Sequence, residues 1–174
     1  MVAVKQTPDT LARESRGGKY LTFALNSEEF GIEILKVREI IGSIEITAMP
    51  RAPSYVRGVT NLRGEVISVI DLRAKFGMKP VAPTTNTCII VVEIQADGHK
   101  TSSGIVVDRV SEVLNVPADQ IEPSPTYGPA VEMSFILGIG KIGRSVKILL
   151  DIDKVLSDEE VGTVLELAAT HATS

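Results

Sequence analysis

The chain has 174 residues, a formal net charge of −4 and 44% apolar residues against only 4% aromatics. An acidic balance of this kind argues against duplex nucleic acid as a ligand, because a phosphate footprint needs clustered Lys and Arg. No apolar run reaches the roughly 18 residues of a membrane span, the N-terminus lacks the order of a signal peptide, and a single cysteine excludes an internal disulfide; the cytoplasm is the expected location. Val, Ile and Leu make up the apolar surplus, which suits narrow β cores and leaves apolar surface for partners.

Taken in chain order, residues 1–18 show no periodicity and read as a mobile tail. Tyr20 to Leu25 alternates, meets a turn at Asn26–Glu29 and returns through Phe30–Ile34, a β-hairpin. Residues 34–41 fit either a helix face or a strand, and strand is favoured because the related segment 104–114 is rich in β-branched residues. Pro50 and Pro53 end that region, and Ser54–Arg57 reads as one helical turn. Gly58 to Asp71 reads as strand, tight turn at Arg63-Gly64, and strand. Asp71–Phe76 followed by Gly77 then has the capping pattern of a short helix. Residues 79–86, with two prolines, form a connector. Cys88–Ile94, a turn signal at Asp97-Gly98 and the return Gly104–Leu114 make a second hairpin, in which Thr101–Ser103 reads as solvent-facing. A proline-rich stretch at 122–129 and a strand at Val146–Leu150 follow. Ser157–Glu160 then forms a capping box opening a C-terminal helix within 157–174.

The chain repeats itself. Gly31–Ile41 aligns without gaps on Gly104–Leu114, placing Glu39 on Glu112 and Ile40 on Val113; Gly58–Leu72 aligns on Gly138–Ile152, placing Asp71 on Asp151. Two copies of a β-rich unit imply two similar small barrels side by side with a groove between them. The expected division is a first barrel with its connector at 19–86 and a second at 87–156, with strands free to cross between them. Units of that size are marginal alone, so the halves should share an interface and unfold together.

Signals for catalysis are weak. His99 and His171 have no ligand partners at metal spacing, and Gly138–Gly143 matches a dinucleotide pattern but precedes a strand, not a helix. Cys88 opens an aliphatic run and reads as an inert thiol. Asp71 and Asp151 can be read as a carboxylate pair in a cleft, or as structural caps doing one job twice, and the repeat favours caps. Arg63 is either a solvated turn residue or a contact. Glu39 shares an apolar strand face with Val37 and Ile41, as a solubilising edge residue or part of a recognition patch. An adaptor is expected, not an enzyme, with no cofactor and no metal; the rival is a small-ligand or enzymatic cleft around Asp71, Asp151 and Arg63.

Five segments in order, Glu28–Ile40, Gly58–Gly64, Val69–Phe76, Gly104–Leu114 and Val146–Asp151, resemble the CheW-like family over residues 20–156. The resemblance implies a mainly β fold of two five-stranded SH3-like β-barrels side by side, with short helices. It also implies a chemotaxis adaptor linking transmembrane chemoreceptors to the histidine kinase CheA, through that kinase's own regulatory domain of the same family. The adaptor would be recruited to the inner membrane face through the receptors. Val37, Glu39, Gly58 and Arg63 would face the receptor or organise its groove, with Val113 as a neighbour. An array of the same design controlling another output fits the same residues.

Overall fold

The computed structural model describes residues 17–42, 44–96, 98–123 and 135–156. The expected N-terminal tail up to residue 16, most of the proline-rich stretch and the expected C-terminal helix lie outside them. The first hairpin is β1 (Gly18–Leu25) and β2 (Glu28–Glu33), followed by β3 (Val37–Ile41), β4 (Val56–Leu62) and β5 (Glu65–Asp71). The second copy runs β6 (Cys88–Ala96), β7 (His99–Val107), β8 (Arg109–Val116), β9 (Ile121–Glu122), β10 (Ile136–Ile142) and β11 (Ser145–Leu150). Short helices α1 (Leu72–Lys75) and α2 (Ile152–Val155) close the two copies.

The strands form two sheets, six-stranded β8-β1-β2-β11-β10-β9 and five-stranded β3-β6-β7-β5-β4. The mainly β expectation is met, with two adjustments. One sheet carries a sixth, two-residue strand, and among the described residues no ladder joins β3 to β4 or β8 to β9, so neither barrel is closed by hydrogen bonds.

Neither sheet is built from one copy. β1 and β2 pair with β8 and β11, while β6 and β7 pair with β3 and β5. Each sheet therefore takes its first hairpin from one copy and its remaining strands from the other. The two exchanges match in register: the parallel ladder sets Leu149 beside Gly31 and Val69 beside Gly104, and Gly31 and Gly104 are aligned glycines of the repeat.

Exchange explains three departures from the linear reading. Residues 34–41 are not one strand: Ile34–Lys36 make a 3-10 turn where the chain leaves one sheet, and only then does β3 begin in the other. Segment 104–114 is likewise broken at Asp108, with β7 and β8 in different sheets. Thr101–Ser103 is not solvent-facing. Ser102 and Ser103 are buried, and the Ser103 hydroxyl lies 3.0 Å from that of Ser68 on the parallel neighbour β5, which satisfies both inside the sheet. A fourth departure is local: Ser54 and Tyr55 form a turn without helix, and Val56 already opens β4.

Period-two alternation feeds two sets of contacts from single strands. On β6, Ile90, Val92 and Ile94 join the main core, whereas Ile89 and Val91 join a smaller cluster belonging to the five-stranded sheet. On β1, Leu21, Phe23 and Leu25 point to the main core and Tyr20 to a cluster of the six-stranded sheet. The main core thus lies between the sheets and draws on both. All four phenylalanines of the chain stack in one row, Phe23–Phe30–Phe76–Phe135, with centroid separations of 5.8, 5.8 and 5.5 Å. Among the described residues no helix is long and apolar enough to cross a membrane.

Candidate docking site

β3 is an edge strand of the five-stranded sheet, and the β4–β5 hairpin lies at the opposite edge. The sheet curls far enough that the two edges touch through side chains. Glu39 on β3 accepts a hydrogen bond from Arg63 in the β4–β5 turn, Oε2 to Nη2, at 2.9 Å. Beside it Arg38 reaches Glu65 of the same hairpin at 3.3 Å and also donates to Ser102 on β7. A bulge between Val37 and Glu39 sets the phase of the strand. Val37 packs on the main core, Glu39 lies mostly covered, and Ile40 presents an apolar side chain to solvent.

The turn that carries Arg63 is unusual. Arg63 has φ of 53° and Gly64 has φ of 90°, the double left-handed geometry of a type I′ hairpin. Asn and Gly normally occupy that first position, because an L side chain there costs about 1–2 kcal/mol. Asn61 supports the turn by accepting the Gly64 N–H at 2.8 Å. The guanidinium that results is 77% exposed. An ion pair so exposed contributes only about 0.2–1 kcal/mol, which does not offset the backbone strain. Arg63 is therefore not explained by stability.

Gly58 is buried on β4 at φ of 143°. A Cβ there would lie 2.0 Å from the Thr47 carbonyl oxygen, so glycine is required for the bridge between Thr47 and Val59 that pins the preceding loop to the hairpin. Its place in the site is to hold the loop against β4, not to present a side chain. Val113 stands on β8, the edge of the other sheet, and is 49% exposed. The structure thus brings Glu39 and Arg63 into contact, sets Val37 and Gly58 in the same sheet, and leaves Val113 on the other.

Asp71 accepts from the N–H groups of Arg73 and Ala74 at the start of α1, and its other oxygen meets Arg57 at 3.1 Å. Asp151 accepts from Lys154 N at 3.3 Å at the start of α2. Each carboxylate is occupied at the N-terminus of its own helix. Cys88 is half-buried, and that burial pushes its thiol above the ordinary 9.0, away from nucleophilic reactivity. Among the described residues no group of three His, Cys, Asp or Glu could hold a metal ion.

Linear reading missed Arg38, whose guanidinium spans from β3 to β7 and to the hairpin, and Leu35, 90% exposed in the turn between β2 and β3. A strand assignment over 34–41 hid Leu35, because exposure there follows from the turn and not from alternation.

A family model described as "CheW-like domain" matches residues 19–160. The chain is 42% identical over 165 residues to a protein named chemotaxis protein CheW from Klebsiella aerogenes, covering 95% of this chain and 97% of that one. It is 38% identical over 144 residues to the chemotaxis protein CheW of Rhizobium meliloti, covering 83% and 90%. Among solved structures, the scaffolding protein TtCheW from Thermoanaerobacter tengcongensis superposes with a TM-score of 0.72 at 31% identity, covering 83% of this chain and 95% of that one.

Proposed function

The chain belongs to the CheW-like family, and from that premise we propose that it is a chemotaxis scaffold, coupling transmembrane chemoreceptors to the histidine kinase CheA without chemistry of its own. It works in the cytoplasm and reaches the membrane by holding a receptor. The observation that supports this reading most directly is the Glu39–Arg63 pair, whose arginine occupies a strained left-handed position for no return in stability. Strain of this kind is retained where a side chain must be presented in one place.

In this reading Arg63 holds the Glu39 carboxylate at the edge of β3, next to exposed Ile40, and so fixes a small charged and apolar surface for the receptor's helical tip. Val37 backs that surface from the core, Gly58 sets the hairpin against its loop, and Val113 adds apolar contact from the other sheet. Affinity comes from aliphatic burial, at about 25 cal/mol per Å² before the costs of association, and the ion pair supplies orientation.

Calorimetric titration of the purified chain with a receptor cytoplasmic fragment and with CheA tests the assignment. Arg63→Ala and Glu39→Lys should weaken receptor binding about tenfold with the unfolding midpoint nearly unchanged and kinase binding retained. Equal receptor affinity in wild type and both variants would remove the site from consideration. Failure of the wild-type chain to bind either partner would remove the function itself.

A further inference from the structure

Among the described residues no ladder joins β3 to β4, and two ion pairs cross that seam side by side. Glu39 meets Arg63 and Arg38 meets Glu65, so consecutive residues of β3 with opposite charges hold opposite charges on the β4–β5 hairpin. Neighbouring residues of a strand ordinarily face opposite sides of the sheet. Here they do not, because Arg38 is the extra residue of the bulge: Val37 lies opposite Val92 and Glu39 opposite Val91, leaving Arg38 outside the register. Glu39 thereby shares the face of Val91. Ser102 on β7, opposite Glu93 two residues further along β6, lies on that face too.

The Arg38 guanidinium is anchored on one side and reaches out on the other. Its Nη1 donates to the hydroxyl of Ser102, a residue 3% exposed, and also reaches Glu65 at 3.3 Å. Glu65 is the first residue of β5, directly after the turn of Arg63 and Gly64. An exposed pair such as Glu39–Arg63 holds a long side chain only weakly. A second link from a packed strand to the turn fixes where the turn stands, and so where Arg63 points.

The second copy acts as a control. Arg38 corresponds to Ser111, and Ser102 to Glu29, each of the latter pair standing two residues before its aligned glycine. Ser111 likewise donates to Glu29, at 3.4 Å, so the anchoring contact belongs to the duplicated structure. The link to the turn does not. Glu65 corresponds to Ser145 and Arg63 to Gly143, and Arg144 of that turn reaches no carboxylate among the described residues. Strand and turn are tied by charge only where the turn presents an arginine to a carboxylate.

We infer that Arg38 and Glu65 are positioning residues of the docking site, an inference that rests on the receptor reading of Glu39 and Arg63. Arg38, seated on Ser102, holds the β4–β5 turn by Glu65, so that Arg63 is already on Glu39 before the receptor arrives. Neither residue acts by touching the receptor. Together they remove motion that binding would otherwise have to stop, and their loss exposes the cost of ordering one long side chain.

NMR relaxation of the Arg63 Nε–H in the free full chain, with calorimetric titration against a receptor cytoplasmic fragment, tests this. Glu65→Ala removes a half-exposed carboxylate and should leave the unfolding midpoint nearly unchanged. The Arg63 order parameter should fall by about a third, and receptor affinity about fivefold. In an Arg63→Ala background the same Glu65→Ala should change affinity by less than about twofold, because no arginine remains to be placed. Arg38→Met, which keeps the aliphatic stem, should repeat both results. An unchanged order parameter in Glu65→Ala overturns the inference. So does an affinity loss that persists in full without Arg63, since that marks Glu65 as a direct contact. Wild-type affinity in Arg63→Ala would instead remove the docking reading and this inference with it; the order parameter, measured without receptor, tells the two failures apart.

Discussion

The two edge strands, β3 and β8, began as the same element, and their differences separate what holds the fold from what was kept for another purpose. Glu39 on β3 corresponds to Glu112 on β8, and Ile40 to Val113. Opposite Glu39 stands Arg63, but the equivalent turn position in the second copy is Gly143, at φ of 59°. Glycine meets that backbone without strain; arginine does not. Both copies keep the capping aspartate, the bulge at the start of the second hairpin and the parallel register. Only one spends backbone energy on a guanidinium. What is shared between copies is structure, and what differs at the edge is the candidate site.

The largest expected effect breaks the comparison at its hairpins. Gly58→Ala should cost about 3 kcal/mol in urea unfolding, because a Cβ at that φ strikes the Thr47 carbonyl. Gly138→Ala, where a Cβ would meet Ile121 Cγ2 at 2.6 Å and the Glu122 carbonyl oxygen at 2.8 Å but φ is not left-handed, should cost about half as much. Equal losses would mean that the left-handed φ and closer carbonyl at Gly58 add nothing.

Next comes the edge itself. Glu39→Lys should lower receptor affinity about tenfold, while the mirror change Glu112→Lys should leave it within about twofold; binding isotherms of the two variants decide it. If both lose equally, the asymmetry between edges has no bearing on docking. Turn strain supplies a third measurement. Gly143→Arg should destabilise by about 1 kcal/mol, and Arg63→Gly should stabilise by a similar amount while weakening receptor binding. A thermal melt in which Arg63→Gly lowers the midpoint would contradict the strain argument.

The smallest effect concerns pH. Lys147 on β11 hydrogen-bonds Glu29 on β2 and, against a partial desolvation, holds that carboxyl below its ordinary 4.5. A depressed carboxylate contributes stability that is complete above the ordinary value and is lost as pH falls through the lower folded value. Glu29→Gln should therefore be less stable than wild type by up to about 1 kcal/mol near neutrality, and the two should converge in acid. Parallel pH curves would show that the pair does not couple the copies. Lys36, raised by Asp153, has the opposite sign: its share persists below the ordinary 10.5 and disappears as pH rises through the higher folded value.

Much of the local structure was legible because it is set by neighbours in sequence. Asp71 before a short apolar-basic run announces a capped helix, and Arg63-Gly64 between alternating runs announces a hairpin. Gly31 and Gly104 at matched places in a gap-free repeat announce duplication. The candidate site was only half legible. Glu39 and Arg63 were each identifiable, but nothing in a 24-residue separation says that a curled sheet brings them within 2.9 Å.

Residues 31–41 and 104–114 mark the limit. Their alternation establishes β structure and the faces that must be buried, since side-chain period is a property of the strand alone. Which sheet each strand joins is a property of distant partners, and Ile34–Lys36 and Asp108 look in sequence like parts of continuous strands. The chain by itself settled its duplication, its caps, its turns and its alternating faces. Tertiary structure alone decided the exchange of strands between copies, the core that forms between the sheets and the ion pairs Lys36–Asp153 and Arg73–Asp108 at the two crossings, because those depend on pairing energies summed over segments far apart in sequence.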